Sequence, residues 1–464
     1  LLDQGAVKVC HPIVMGAVYR SLAEQGQAMA GTIALEPQKI EVREAFYTFG
    51  KIGLLSFGGP AGQIAMMHRV LVDEKKWISE ERFLHALNFC MLLPGPEAMQ
   101  LATYLGWLFH GVKGGVIAGL LFILPGACVM LVLSALYVSF GHVPLVEGLL
   151  FGLKAAVLAI VLEAVIKVGK RALTDYAAYG IAICAFIAIA LIKLPFPLVI
   201  LIAGLFGFLR YRLTHTSSPS LPDHSAIEPA ARGALQSAVV WTVLWLGPLA
   251  ILLFALGQAN VFAAQAAFFS KMAVVTFGGA YAVLAYVAQQ AVDYYGWLKP
   301  DEMLTGLGLA ETTPGPLILV LAFVGFVGGA RLSGFDPLTG GLLGGLTALW
   351  FTFAPCFLWI FAGAPFVERL RHVGWLKASL AAITAAVVGV IANLAVWFGL
   401  HVLFGTFQET MFGPLHLPVL NLSAFDWAAS AIALGAAIAL IALRINLLVV
   451  LGLAALAGIL IRLA

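Results

Sequence analysis

Residues 51–60 read KIGLLSFGGP, and residues 271–280 read KMAVVTFGGA. A lysine and the run Phe-Gly-Gly recur at an offset of 220 positions: Lys51 with Lys271, Phe57 with Phe277. Working outward, Asp73 and Trp77 answer to Asp293 and Trp297, Leu84 to Leu304, and Pro94-Gly95-Pro96 to Pro314-Gly315-Pro316, all at the same offset. A gapless correspondence of this length is an internal repeat. Farther along it loosens. Pro144–Glu147 and Pro365–Glu368 share Pro-x-Val-Glu, and Lys154 corresponds loosely to Lys377. Glycine and proline at this density break helices. The breaks fall inside the apolar runs 45–73, 79–110, 260–292 and 300–330.

Composition sets the solvent. Of 464 residues, 62% are hydrophobic and 11% charged, whereas soluble domains carry about 25% charge. This excludes a soluble enzyme, a nucleic-acid binder and a disordered chain, and a net charge of +3 gives nucleic acid no handle. Long unbroken apolar runs exclude a β-barrel. At about 20 residues per span, the further elements are 114–140, 146–169, 176–193, 195–212, 234–257, 338–362, 374–404, 425–443 and 445–463. The expected fold is an all-α polytopic membrane protein of about 13 elements. It divides into a polar tail (1–40), a first repeat (41–213), a Ser/Pro-rich linker (214–233), a connecting helix (234–257) and a second repeat (258–464). Residues 1–40 lack an apolar core with a cleavage site, and Met15 or Met29 is the expected start. The 5 cysteines form no CxxC and stand near no histidine cluster, so neither a metal nor a cofactor is expected.

An odd number of spans separates each break from its copy, whether the broken pairs cross the membrane or re-enter it. The copies are therefore expected in opposite orientation, the inverted-repeat plan of many secondary transporters. The distribution of the 26 lysines and arginines favours a cytoplasmic N-terminus and leans towards re-entrant pairs, because Arg69, Lys75, Lys76 and Arg82 then return inside.

The stretches SFGGPAGQIAMMHR, DEKKWISEERFLHAL and LLPGPEAMQLATYLGW resemble the chromate ion transporter family over roughly residues 40–460. TFGGAYAVL and ETTPGPLILV resemble the diverged second copy of its two-domain members. The resemblance implies a multi-pass protein of the cytoplasmic (inner) membrane that exports chromate, with sulfate as the close structural analogue. The chain departs from symmetry at Ala280, opposite Pro60, and at Leu317, opposite Glu97.

An oxyanion must be stripped of water yet held weakly enough to leave. Helix N-termini at breaks offer free N–H groups and a positive dipole end. The expected site is Phe57, Gly58, Gly59, Pro60 and Gln63; Pro94, Gly95 and Pro96; Phe277, Gly278 and Gly279; and Thr313, Pro314, Gly315 and Pro316. Gln100, Asn88 and Thr312 are further neutral donors. An ionisable residue within a span costs about 3 kcal/mol, so Lys51 and Lys271 are read as a cation pair facing the anion, against the alternative of snorkelling to the interface. Glu97 and Glu311 adjoin the Pro-Gly-Pro breaks and are the candidate proton-coupling residues. As a plain alternative, Glu97 caps its helix. Lys154 and Glu163 are too far apart on their helix to pair. His68 and His85 are read as packing or surface residues, and Trp77 and Trp297 as interfacial anchors. Expected partners are the oxyanion, the bilayer and a second copy of the chain in a homodimer. Export needs no nucleotide, and no phosphate-binding loop is present. An importer or channel for sulfate or a related oxyanion is the alternative. A membrane enzyme lacks any paired catalytic carboxylates or nucleophile–base spacing.

Overall fold

The computed structural model describes residues 40–214, 228–277, 279–364, 373–405, 407–413 and 415–463. Gly278, residues 1–39, most of the linker and the Pro365–Glu368 motif lie outside the described residues.

The first repeat opens with α1 (Val42–Leu55) and α2 (Gly59–His68), whose last turn widens over Arg69–Glu74. Then come α3 (Glu80–Cys90) and α4 (Glu97–Phe140). Within α4, His110 and Gly111 leave helical geometry. The arms 97–109 and 112–140 fold back on each other there. A Cβ on Gly106 would lie 2.4 Å from the Gly114 carbonyl oxygen, and one on Gly119 would lie 2.5 Å from the Thr103 hydroxyl. Gly111, at φ +61°, makes the turn, a conformation that glycine adopts without strain. Next are α5 (Pro144–Ala172), α6 (Tyr176–Ala190) and α7 (Phe196–Thr214). The connecting helix is α8 (Glu228–Leu256).

The second repeat runs α9 (Val261–Val275), α10 (Ala280–Ala288, widening over Gln289–Tyr294), α11 (Pro300–Thr312) and α12 (Val320–Leu332, entered by a 3-10 turn at Leu317–Leu319). It continues through α13 (Pro337–Gly363) and α14 (Gly374–Phe404). The helices α15 (Trp427–Ala437, widening over Ile438–Ala442) and α16 (Leu447–Leu463) close the chain. Here too a glycine hairpin forms. A Cβ on Gly325 would meet the Gly344 carbonyl oxygen at 2.4 Å, with Gly334 turning at φ +75° and Asp336 capping α13. Small residues let helix backbones approach in this way within membranes.

Six described helices are long and apolar enough to cross a membrane, with shorter apolar helices beside them. The fold is that of an all-α membrane protein. It carries one addition that helical periodicity did not flag: an antiparallel hairpin of β1 (Gln408–Phe412) and β2 (Leu415–Val419) between α14 and α15.

The helices form two bodies. α1–α4 and α9–α13 pack together, with α8 along α13; α5, α6, α7, α14, α15 and α16 form a second bundle, in which α16 lies along α5 and α7 along α14. Trp297, expected at the membrane interface, is instead only 2% exposed. It stacks on Tyr295 with ring centroids 4.3 Å apart and meets Phe268 edge-on. Burying its large face against aromatics outweighs anchoring. Trp77 is half-buried against Phe109.

Candidate functional site

The first break begins where the Ser56 hydroxyl donates back to the Ile52 carbonyl at 2.6 Å and ends α1. The third does the same at Thr276, which donates to Met272 at 2.6 Å. The chain then passes through glycines at positive φ, Gly58 (+87°) and Gly59 (+72°) in one repeat and Gly279 (+97°) in the other. A Cβ at any of these three would meet open space. They are glycines for the sake of backbone angle, and they border a gap.

The Pro-Gly-Pro breaks cross over to the opposite repeat. Gly95 N–H donates to the Thr276 carbonyl at 2.9 Å, and Gly315 N–H donates to the Ser56 carbonyl at 2.8 Å. Both donor and acceptor exchange under the 220-residue offset, so this is one contact made twice about a pseudo-twofold axis, the self-complementary pattern of an isologous interface. The helices behind the breaks obey it too. Gly126 approaches the Pro314 carbonyl, and Cys356 approaches Gly95; each lies one residue after a proline inside its helix, Pro125 and Pro355.

Four helix starts meet in this arrangement. Pro60 and Gln63 belong to the first turns of α2, Pro96, Glu97 and Ala98 to the start of α4, Gly279 and Ala280 to that of α10, and Pro316, Leu317 and Ile318 to the entry of α12. All ten line one small cavity. Gln63 is fully buried; its amide donates to the Gly315 carbonyl, and its Oε1 has no partner among the described residues. Free N–H groups and dipole ends from four starts, with irregular backbone around them, suit an anion. A larger groove, about 430 Å³, lies between α6, α7 and α14 near Asp175 and Arg210 and touches none of the breaks.

The expected site residues divide on this geometry. Pro60, Gln63, Pro96, Glu97, Gly279 and Pro316 line the cavity. Gly95 and Gly315 hold its frame, with Pro94 and Pro314 beside them. Gly58 and Gly59 edge the open side, and Phe57 and Phe277 are half-buried next to them. Thr313 is buried and donates to its own helix at Ala310, as Thr312 does at Leu309. Gln100 donates to the Pro94 carbonyl at 2.7 Å and braces that break. Asn88 is exposed on α3. Lys51 and Lys271 are exposed on α1 and α9 and do not line the cavity. Glu311 is 4% exposed and accepts a 2.6 Å hydrogen bond from the Tyr281 hydroxyl.

Three features escaped sequence reasoning. Ser56 and Thr276 stand at the repeat offset and share a hydroxyl, a signal that was available. Tyr281 has Ala61 as its counterpart, so the repeat gave no hint of it. Glu302 is buried and held by both terminal nitrogens of Arg331, by the Tyr137 hydroxyl at 3.1 Å and by the Lys299 N–H at 2.8 Å. Lys154 pairs with Asp301 at 3.1 Å and Glu163 with Lys167 at 2.7 Å.

Comparison with known proteins follows the same division. A profile of the family described as Chromate transporter matches residues 43–208 and 263–459. A chromate transport protein of Pseudomonas aeruginosa is 36% identical over 369 residues, 79% of this chain and 83% of that one. A chromate transport protein of Cupriavidus metallidurans is 27% identical over 369 residues, 79% of this chain and 84% of its own. The uncharacterized transporter YwrB of Bacillus subtilis is 32% identical over 167 residues, 35% of this chain and 84% of its own length. No solved structure matches.

Proposed function

We propose the function from this premise: the chain belongs to the chromate transporter family. It is a secondary transporter that exports chromate across the cytoplasmic membrane, driven by the membrane potential, a proton gradient or both. The observation that carries this reading is the meeting of four helix starts, two from each repeat, at one cavity. Half-helix N-termini aimed at an anion from inverted repeats are a transporter arrangement, and the exchange of contacts about a pseudo-twofold axis supports inversion. A dianion leaving a negative-inside cell gains about 4.6 kcal/mol per 100 mV, so potential alone suffices to drive export.

Lys51 and Lys271 stand at repeat-related positions, exposed and outside the cavity lining. They attract the anion on its approach to the cavity and do not clamp it there. Glu97 sits in the cavity wall and Glu311 behind it. An ionised carboxylate repels a dianion, and a protonated one can donate to it, which couples protons to the anion.

Inside-out vesicles carrying the protein test the reading with labelled chromate. Uptake should follow a lumen-positive potential, compete with sulfate, and fall severalfold in Lys51→Gln and Lys271→Gln, whose membrane levels stay normal; Lys→Arg should restore it, because attraction on approach needs the charge and not a fixed donor geometry. Absence of uptake under both an imposed potential and an imposed pH gradient defeats the proposal.

A further inference from the structure

The pseudo-twofold relation holds within each body and fails between them. α11 packs along α5, and a Cβ on Gly308 would touch Leu153 and Val157 at 3.3 Å; α10 packs along α14. The counterparts of these helices, α3 against α14 and α2 against α5, show no such packing among the described residues. Side chains record the difference at matching positions. Leu304 is 1% exposed and its counterpart Leu84 is 45% exposed. Gly308 is buried and Asn88 exposed, and Ala282 and Ala285 are buried while Gly62 and Ala65 are exposed. Around Leu84, the open face carries Glu81 and Asn88, groups that suit water better than lipid tails.

We infer that the exposed face formed by α2 and α3 is a second docking surface for the α5–α14 bundle of the same chain. The bundle seats on α10 and α11 in the state described here and on α2 and α3 in the other. This rests on the transport reading above. Two related sets of contacts, of which one is made and one is vacant, are what rocking one bundle about a fixed site requires. The occupant follows from the symmetry. The bundle is itself twofold: Gly148 seats against Gly458 and Ile459 as Gly207 seats against Ala378 and Ser379. Those contacts place α14 at an offset of 230 from α5, the offset that also relates Gly114 to Gly344 in the glycine hairpins. The Gly308 contact with Leu153 and Val157 therefore becomes Asn88 against Ile383 and Val387. The small residues Gly62 and Ala65 supply close approach, as Ala282 and Ala285 do on the occupied side.

Paired cysteines decide the matter, in the full chain with its 5 native cysteines replaced by alanine and chromate transport verified. Gly308→Cys with Val157→Cys traps the state described here. Asn88→Cys with Val387→Cys traps the other. Both pairs should cross-link within one chain in the membrane, each should abolish transport, and reductant should restore it. Asn88 is exposed, so Asn88→Cys alone folds; its labelling by a membrane-impermeant maleimide should rise when Gly308→Cys and Val157→Cys, introduced beside it, lock the bundle onto α11. If the second pair never cross-links while the first forms and transport continues with it locked, the inference is wrong. Cross-linked dimers through Asn88→Cys also overturn it, since a second copy then covers that face. Cross-linking of both pairs in a protein that carries no chromate would leave the two seats standing and defeat the proposed substrate.

Discussion

The helices that flank the breaks are built alike in the two repeats and held differently. In the second repeat, α10 to α12 are buried nearly throughout, and one of their carboxylates is internal: Glu302, 5% exposed, gripped by Arg331 at the surface, by Tyr137 and by the Lys299 backbone, while Asp301 pairs outside with Lys154. In the first, the matching helices carry their charges outside. Lys75 pairs with Glu44 at 2.6 Å on the surface, and the half-buried His68 pairs with the exposed Glu80. Duplication preserved the backbone chemistry of the breaks and left side-chain surroundings free to separate. What stays twofold is the crossed pair of hydrogen bonds between the breaks.

The contrast breaks most visibly at the ion pairs. Arg331→Ala leaves the buried Glu302 carboxylate without its cation, which stands at the surface, and should cost about 1–3 kcal/mol, as leaving a buried acceptor unsatisfied does. Lys75→Ala should cost less than about 1 kcal/mol. Thermal unfolding in detergent reads both, and equal shifts would show that the two repeats are held alike. Next are the matched positions on α11 and α3. Gly308→Leu drives a side chain into Leu153 and Val157 and should lose about 1–3 kcal/mol, whereas Asn88→Leu should stay within about 0.5 kcal/mol in the same assay.

The carboxylates sharpen the comparison functionally. Glu97 faces the cavity from the first repeat, while Glu311 lies behind the break of the second and is held by Tyr281. Glu97→Gln and Glu311→Gln imitate the protonated forms. At least one should keep anion binding and lose the pH dependence of vesicle uptake. Unchanged profiles in both would leave potential-driven uniport and make Glu97 a helix cap.

The smallest effect lies at the caps of α6 and α15. Asp175 and Asp426 each accept a helix N–H at 2.8 Å, from Ala178 and Ala429. Arg210 also pairs with Asp175 at 2.8 Å. Arg210 and the Ala178 N–H hold the Asp175 carboxyl below the usual aspartate range. A depressed folded-state pKa stabilises above the unfolded value of about 3.9, and that contribution fades as pH falls through the folded one. Wild type should therefore melt slightly above Arg210→Gln at pH 7, and the two curves should merge under acid. A gap that persists at pH 2 would assign the effect to packing.

The sequence disclosed what the backbone needs. Glycine and proline at a fixed offset marked all four breaks, since positive φ and a missing N–H leave few other residues possible. Their mutual hydrogen bonds were not legible, because nothing in a linear offset says that Gly95 reaches Thr276 in the other repeat instead of Ser56 in its own. Side chains without a counterpart were hidden for a related reason. Tyr281 stands opposite Ala61, and Arg331 grips a glutamate whose matching position is Arg82, so the repeat carried no record of either. Trp297 was misread because it lies in a loop between broken elements, and nothing in the sequence says that Phe268 and Tyr295 bury it there. Symmetry predicted position and could not predict surroundings.

The crossed hydrogen bonds from Gly95 to Thr276 and from Gly315 to Ser56 bear on ancestry. Each half supplies the carbonyl that accepts from the other half's Pro-Gly-Pro glycine. A single-repeat protein making these crossed contacts would need a second molecule, and its assembly would obey mass action. Joining the halves in one chain replaces that dependence on expression level with an effective concentration set by the connection. It also ends the obligation to be identical. In a homodimer every substitution appears on both sides of the axis, so a carboxylate like Glu311 would come as a facing pair. In the fused chain it appears once, with Met91 opposite.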